Sequence, residues 1–209
     1  MKRHLAVAIL SLVAVGPLGA QAPKGWMLRA DRSTSAADPD KPGPIKFTAA
    51  GSGFHAVTPQ AAVFWSPANT ATGSYTLKGT FKLLKPSSHT NYYGLVFGGG
   101  SLEGPAQSYL YFVVAQDGTW LIKRRDGDVA TRDVARAASD AVKTPGASGQ
   151  STNALEVRVT ANKIDYVVNG RVVHSTPKAG LTMKTDGLYG IRINHVLDVQ
   201  VDGFALSKP

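Results

Sequence analysis

Residues 153–175 constrain the fold of this chain more than any other segment. Apolar and polar side chains alternate along residues 155–159 and again along residues 164–168, which is the period of strands buried on one face. Asn169-Gly170 follows the second strand and predicts a type I′ turn, because both residues tolerate a positive φ. A third strand begins at Arg171. The segment therefore predicts a three-stranded antiparallel meander.

The same alternation extends through most of the chain after residue 45. It is clearest along residues 75–84, and residues 109–115 and 119–123 predict a hairpin across Asp117-Gly118. Short strands separated by turn residues, without a long helical pattern, are typical of a β-sandwich or barrel. We therefore predict an all-β fold.

Residues 129–149 leave two alternatives open. Val134, Ala138 and Val142 would share one face of a short helix. The same segment is also compatible with a loop that contains a strand near residues 133–135.

The first 22 residues have the features of a signal peptide. A basic start is followed by an apolar stretch at residues 5–15 and by the small-residue cleavage pattern Ala20-Gln21-Ala22. The apolar stretch is too short to span a membrane comfortably, so we expect no transmembrane segment. We predict a periplasmic or secreted monomer with an irregular N-terminal arm at residues 23–44 and a single β-sandwich domain at residues 45–209.

Composition narrows the possible chemistry. The chain has no cysteine, so it can form neither disulfides nor a thiolate site. Its formal net charge is +9, and Lys123-Arg124-Arg125 is the tight basic cluster within otherwise dispersed charges. A basic balance can favour anionic partners such as acidic glycans, phospholipid heads or nucleic acid, but the favoured interpretation is a cationic exported domain with scattered charge. No nucleic-acid motif is present and export is expected, so we predict no nucleic-acid partner.

Three motifs resemble a known superfamily. They are the Asn-x-Leu-x-Val meander that ends in Asn169-Gly170, the strand Asn-Tyr-Tyr-Gly-Leu-Val-Phe at residues 91–97 with its following glycines, and the closing segments at residues 187–192 and 199–204. Their order resembles the concanavalin A-like jelly roll of laminin-G domains and legume lectins. This resemblance implies a two-sheet antiparallel jelly-roll sandwich.

Within that superfamily, the chain resembles the exported bacterial group known as 3-keto-disaccharide hydrolases, or family sixteen-like proteins. The shared features are Gly25-Trp26, the strand at residues 91–97 and the Asn169-Gly170 hairpin. The closing strand reads Val-Asp-Gly-Phe at residues 201–204, where that group usually has a sequence like Phe-Arg-Asn-Ile. The resemblance implies a glycoside hydrolase as one possible activity.

The carboxylates offer little support for catalysis. Glycoside hydrolysis generally uses two carboxyl groups on either side of the scissile bond, and the chain has only two glutamates, Glu103 and Glu156. Glu156 lies on the polar side of its strand and is the one weak catalytic candidate, with a solvated ion pair to a neighbouring Arg or Lys as the alternative. Glu103 is expected to be a loop carboxylate. Apart from this weak candidate, we therefore assign no catalytic residue.

Metal binding has one weak candidate. The histidines are far apart in the sequence and lack the spacing of a zinc site. Asp126 and Asp128 form the best local pair of carboxylates for calcium, although Asp-Gly is also ordinary turn chemistry. We predict no required cofactor, with calcium possible at this pair.

Sugar recognition requires aromatic platforms beside planar hydrogen-bonding groups, because a sugar ring has an apolar face and a hydroxyl edge. We predict that seven side chains converge on one concave face as a ligand-binding cluster: His55, Trp65, Tyr93, Arg125, Arg192, Asn194 and His195. The polar face of residues 76–82 would join them if it belongs to the same sheet.

The sequence thus favours an exported carbohydrate-binding module that has no catalytic motif. A glycoside hydrolase of the 3-keto-disaccharide type is the alternative, and a structural envelope protein is the second alternative.

Overall fold

The computed structural model describes residues 22–31, 39–128 and 130–209. Within these ranges the chain forms two seven-stranded antiparallel sheets and one short 3₁₀ turn, Gly180–Thr182. This architecture confirms the predicted all-β, two-sheet antiparallel jelly-roll sandwich. No helix in the described ranges is long and apolar enough to cross a membrane. The predicted signal peptide lies, apart from its last residue, outside these ranges.

The strands are numbered in chain order and divide between the two sheets. Sheet A contains, in spatial order, β1 (Met27–Ala30), β4 (Ala62–Ala71), β13 (Gly187–Ile193), β6 (Tyr92–Gly100), β7 (Ser108–Ala115), β8 (Thr119–Asp126) and β9 (Ala130–Ala138). Sheet B contains, in the same sense, β12 (Arg171–Pro177), β11 (Lys163–Val168), β10 (Ser151–Val159), β5 (Tyr75–Lys85), β14 (Leu197–Ser207), β3 (Gly53–Thr58) and β2 (Lys46–Ala50).

The predicted meander is confirmed as β10, β11 and β12. Asn169 and Gly170 have φ of 50° and 83° between β11 and β12, as the expected turn requires. The Asn169 side chain also accepts a hydrogen bond from the Ala154 amide at 2.9 Å and donates to the Ala141 carbonyl at 2.7 Å. This turn therefore anchors both β10 and the connection that precedes it.

Two segments differ from the expectations. Residues Ala130–Ala138 form β9, which pairs with β8, so the helical alternative is wrong and the strand is longer than the alternative at residues 133–135. Residues Met27–Ala30 form β1 at the edge of sheet A, although the sequence predicted an irregular arm. In both cases backbone pairing with a neighbouring strand decides the conformation, which is a tertiary effect that local propensity does not report.

The main core lies between the sheets. Phe47 of β2 stacks on Phe64 of β4 with ring centres 4.3 Å apart, and Trp120 of β8 lies 5.2 Å from His174 of β12. The sandwich therefore aligns the β2–β3 side of sheet B with the β4 side of sheet A, and β12 with β8. Trp120 is consequently a core residue.

A second apolar cluster lies on the opposite, outer face of sheet A. It contains Val63, Trp65, Tyr92, Val96, Leu102, Tyr109, Tyr111, Val113, Ala115 and Leu121. Both faces of sheet A are therefore apolar. In sheet B, by contrast, the residues of β5 and β10 that point to the outer face are mostly polar. Because the two sheets differ in this way, the candidate site lies on the outer face of sheet A.

We predict that Asn169→Ala lowers the free energy of unfolding by about 2–3 kcal/mol, because it removes the side-chain hydrogen bonds and places alanine at a positive φ. Chemical denaturation would measure the change. The matched control is Asn162→Ala in the preceding turn of the same meander, where a surface substitution should change stability by less than about 0.5 kcal/mol. Equal effects of the two variants would contradict this role for Asn169.

We also predict that stability falls between pH 10 and 12 as the core tyrosines ionise. Burial raises the pKa of Tyr166 to about 12, above its value of about 10 in an unfolded chain. The folded protein therefore favours the neutral phenol, and this contribution is complete below pH 10 and is lost as the pH rises through 12. Tyrosinate absorbance and melting temperature across this range would test it. Tyr166→Phe should reduce the alkaline loss of stability, and ionisation of Tyr166 near pH 10 in the folded protein would contradict it.

Candidate functional site

The outer face of sheet A brings aromatic and cationic side chains together. Trp65 projects from β4, and Tyr109 and Tyr111 project from β7, because alternate residues of a strand point to the same face. Arg192 of β13 lies over the Tyr111 ring at 5.0 Å from the ring centre, a cation–π geometry. Gly190, paired with Trp65, permits the close approach of β13 to β4, because a Cβ there would lie 2.1 Å from the Phe64 carbonyl oxygen.

At the centre of this face, one carboxylate binds two arginines. The Asp31 oxygens lie 2.7 Å and 2.8 Å from Nη2 and Nη1 of Arg125. Arg192 Nη1 donates to Asp31 Oδ2 at 2.6 Å. The side chains of Asp31, Arg125 and Arg192 are only 7%, 9% and 9% exposed. The three residues form a buried ionic cluster that the sequence did not predict.

The tyrosines complete this cluster. Arg192 Nη1 also donates to Tyr109 Oη at 2.8 Å. Burial raises the pKa of Tyr109 to about 12, although the nearby positive charge of Arg192 opposes the shift. Burial by itself would lower the pKa of Arg192, but the neighbouring Tyr109, Tyr111 and Asp31 raise it on balance. Arg192 therefore stays charged and Tyr109 stays neutral at ordinary pH.

Side-chain contacts that cross the outer face of sheet A cover one half of it. Arg29 of β1 pairs with Asp128 and donates to the Gly104 carbonyl in the β6–β7 loop. Four strands separate β1 from β8 in sheet A, so these contacts and those of Asp31 span the face. Leu102 of the β6–β7 loop is buried in the same apolar cluster. The arginine–tyrosine cluster is thus covered by the protein's own chain.

The other half of the face is more open. Tyr92 Oη lies 3.1 Å from Thr119 Oγ1, and the exposed Arg136 lies 5.9 Å from the centre of the Tyr92 ring. Asn194 is partly exposed, and its Oδ1 accepts a hydrogen bond from Arg192 Nε at 3.1 Å. This end of sheet A therefore presents amide, hydroxyl and guanidinium groups beside an aromatic ring that is itself 8% exposed.

A histidine chain lies at the same end of the sheet, in the turn after β13. The His195 Nδ1 atom lies 3.0 Å from Asp40 Oδ1, and its Nε2 atom lies 3.1 Å from His89 Nε2. Asn91 Nδ2 is a further 3.0 Å from His89 Nε2. His195 is buried and His89 is exposed, so the chain leads from the interior to the surface.

The structure brings together only part of the predicted cluster. Trp65, Arg125, Arg192 and Asn194 lie on the outer face of sheet A, and His195 lies in the adjoining turn. The predicted convergence on one face is wrong for the remaining two residues, Tyr93 and His55. Tyr93 points into the main core, and His55 lies on the outer face of sheet B, paired with Asp198 at 2.7 Å.

The physical reason for this division is that successive side chains of a strand point to opposite faces of its sheet. Tyr92 faces outward, so its neighbour Tyr93 must face the core. The polar residues 76–82 belong to β5 in sheet B and do not join the basic residues of sheet A. The alternation of Tyr109 and Tyr111 with buried Leu110 and Phe112 could have indicated the outer cluster. No sequence signal marked Asp31.

The two glutamates lie on opposite sides of the sandwich. Glu156 accepts a hydrogen bond from Arg158 Nε at 3.0 Å on the outer face of sheet B, which agrees with the ion-pair alternative. Glu103 is exposed in the β6–β7 loop, which packs over sheet A. These two carboxylates therefore do not flank a common site.

The candidate calcium residues bind cations of the protein itself. Asp126 accepts a hydrogen bond from Arg124 Nε at 3.0 Å and pairs with Arg132; this contact with Arg132 is the largest cause of its lowered pKa. Asp128 accepts a hydrogen bond from Gln107 at 3.0 Å in addition to its pair with Arg29. Among the described residues, no three acidic or histidine side chains form a metal-ligand cluster. Calcium binding stays a prediction.

Comparison with known proteins identifies similar folds. No known family and no curated protein matches this sequence. Among solved structures, the carbohydrate-binding module CBM66 from Bacillus subtilis has a TM-score of 0.62 at 8% identity and covers 88% of this chain and 96% of its own. The Emp46p carbohydrate recognition domain has a TM-score of 0.57 at 14% identity, with 85% of each chain covered.

Alginate lyase A1-II′ is a third similar structure, with a TM-score of 0.54 at 12% identity and coverage of 88% of this chain and 95% of its own. The similar structures therefore include binding modules and an enzyme on the same scaffold. At these identities the likeness establishes the fold, and any function must be argued from the site. The chain has a two-sheet jelly-roll sandwich fold similar to those of these structures.

Proposed function

We propose that this protein is an exported glycan-binding module whose site lies on the outer face of sheet A, at the end formed by Tyr92, Thr119, Asn194 and Arg136. The observation that carries the proposal is the concentration of aromatic, amide and guanidinium groups on this one face. An aromatic ring accommodates the apolar face of a sugar, and amide and guanidinium groups hydrogen-bond its hydroxyls.

The outer face of sheet B has a different character. Its side chains contact one another, as in the hydrogen bond between His55 and Asp198 and the ion pair of Glu156 with Arg158. Alternate residues of β5, such as Lys78 and Thr80, point to solvent. Such a face is typical of a solvated sheet surface.

The similar structures support the same type of ligand. CBM66 is a carbohydrate-binding module, and the Emp46p domain is a carbohydrate recognition domain. The site of this chain is argued from its own side chains, since the identities of 8% and 14% are too low to transfer a binding site.

We predict that Tyr92→Ala weakens glycan binding about tenfold, the loss of about 1.4 kcal/mol expected when an aromatic anchor is removed. A glycan array would identify a ligand, and affinity electrophoresis would compare the variants. The matched control is Thr80→Ala on the outer face of sheet B, which should bind like the wild type. Failure of the wild type to bind any polysaccharide, or equal losses in both variants, would contradict the proposed site.

Export is part of the proposal and rests on the first 22 residues of the sequence. Expression of the full chain in a bacterial host should yield an envelope or secreted protein whose N-terminal residue is Pro23. Recovery of uncleaved cytoplasmic protein would contradict export. It would not bear on the proposed binding site, which the binding experiment tests separately.

A sugar-cleaving enzyme of the 3-keto-disaccharide hydrolase type is a second candidate. The observation that favours it is the chain of Asp40, His195 and His89, because hydrogen-bonded carboxylate–histidine groups can move protons to and from a substrate. Incubation with 3-keto-glycosides should then release sugar, and His89→Ala should reduce the rate by about 100-fold or more. No release by the wild type would eliminate this candidate.

A further inference from the structure

Asp31 occupies a complete carboxylate-binding site that the proposed Tyr92 site does not use. Asp31 Oδ2 accepts hydrogen bonds from Arg125 Nη1 at 2.8 Å and from Arg192 Nη1 at 2.6 Å, and Arg125 Nη2 lies 2.7 Å from Oδ1 in the same ion pair. The planar fork of a guanidinium matches the two oxygens of a carboxylate. The face therefore already recognises a carboxylate, which the N-terminal segment of the same chain supplies.

The charge of this site is not balanced. Among the residues that the structure describes, two guanidinium groups share one carboxylate, and their further partners are neutral: the Gly127 and Asp128 carbonyls, Asn194 Oδ1 and Tyr109 Oη. The carboxylate of Asp128 pairs with Arg29 instead. A buried excess of positive charge is costly. An anionic ligand that binds both arginines would be favoured here.

The surroundings of the arginines indicate which kind of carboxylate fits. Trp65, Tyr109 and Tyr111 belong to the same outer cluster, and aromatic side chains suit the apolar face of a sugar ring. A carboxylate attached to a sugar ring would engage the arginines and the aromatic side chains together. The chemical class is therefore a uronic acid residue of an acidic glycan.

Asp31 is placed where it can withdraw. It directly follows β1, which has four residues, lies at the edge of sheet A and pairs only with β4. The Asp31 amide donates to the Ala61 carbonyl at 2.6 Å, which extends the same pairing by one bond. A short edge strand can detach without breaking the remaining ladder.

Resting on the proposed glycan-binding function, we infer that Arg125 and Arg192 bind the carboxylate of a uronic acid residue, and that Asp31 closes this site until an acidic glycan displaces it. The bound glycan would then extend along the outer face of sheet A toward Tyr92. Acidic glycans would thus compete with an internal carboxylate, whereas neutral glycans would meet only the open half of the face.

The test compares Asp31→Asn with the wild type, using polygalacturonate and its neutral methyl ester as probes. Asp31→Asn keeps the shape of the side chain but removes its charge, so polygalacturonate should bind about tenfold tighter or more. Binding of the methyl ester should not change. Adding Arg192→Gln to Asp31→Asn should abolish the gain.

The matched control is Asp128→Asn. It breaks the pair with Arg29 that also joins β1 to the far side of sheet A, but it leaves Asp31 on the two arginines. Its affinity for polygalacturonate should change by less than about threefold. A gain equal to that of Asp31→Asn would mean that loosening β1, and not freeing the arginines, causes the effect, and would overturn the inference.

A second measurement allows for loss of stability in Asp31→Asn. Free galacturonate should raise the melting temperature of this variant and have much less effect on the wild type, and galactose should change neither. If the variant does not fold alone, refolding in galacturonate but not in galactose supports the inference, and refolding in neither overturns it.

A folded Asp31→Asn variant that neither binds polygalacturonate more tightly nor gains stability from galacturonate would overturn the inference. If the wild type still binds neutral glycans through Tyr92, the proposed function stands without it. If no variant binds any glycan, the proposed function fails as well. The two failures are therefore distinguishable.

Discussion

A buried carboxylate shared by two arginines holds the outer face of sheet A in its present form. Asp31 joins the end of β1 to Arg192 near the middle of the sheet and to Arg125 on β8. Removing one partner of a buried ion pair commonly costs several kcal/mol, because the remaining charge is left without compensation. The covering of the aromatic cluster, and hence the division of this face into a closed and an open half, depends on that contact.

The two sheets share the same strand geometry but differ in the character of their outer faces. Sheet B has one buried and one solvated face, as antiparallel sheets commonly do. Sheet A is apolar on both sides, so its outer face needs a cover, which the β6–β7 loop and the side chains of Arg29 and Asp31 supply. Where this cover stops, Asn194 and Arg136 reach the surface beside Tyr92, whose own exposed fraction is 8%. A partly covered apolar face with polar groups at its margin is a suitable place for a ligand.

Much of the fold was predictable because its determinants are local. Alternation along residues 155–168 and the Asn169-Gly170 turn specified the meander, and both appear in the structure with the expected geometry. The candidate site was less predictable. The structure places Arg125, Arg192, Asn194 and Trp65 together on the outer face of sheet A, whereas Tyr93 and His55 lie elsewhere. A residue's type suggests a role in binding, but the face it occupies depends on which sheet its strand joins.

Most of the strands, their turns and the all-β class were predictable from the sequence, because side-chain periodicity and positive-φ residues act over a few neighbouring positions. The pairing of β1 with β4 was not predictable in this way, and neither were the contacts of Asp31 with arginines 94 and 161 residues further along the chain. Such contacts depend on strand order and on the close approach of distant segments. No local pattern encodes them, since a lone aspartate in an N-terminal segment looks the same whether it is solvated or buried between two guanidinium groups.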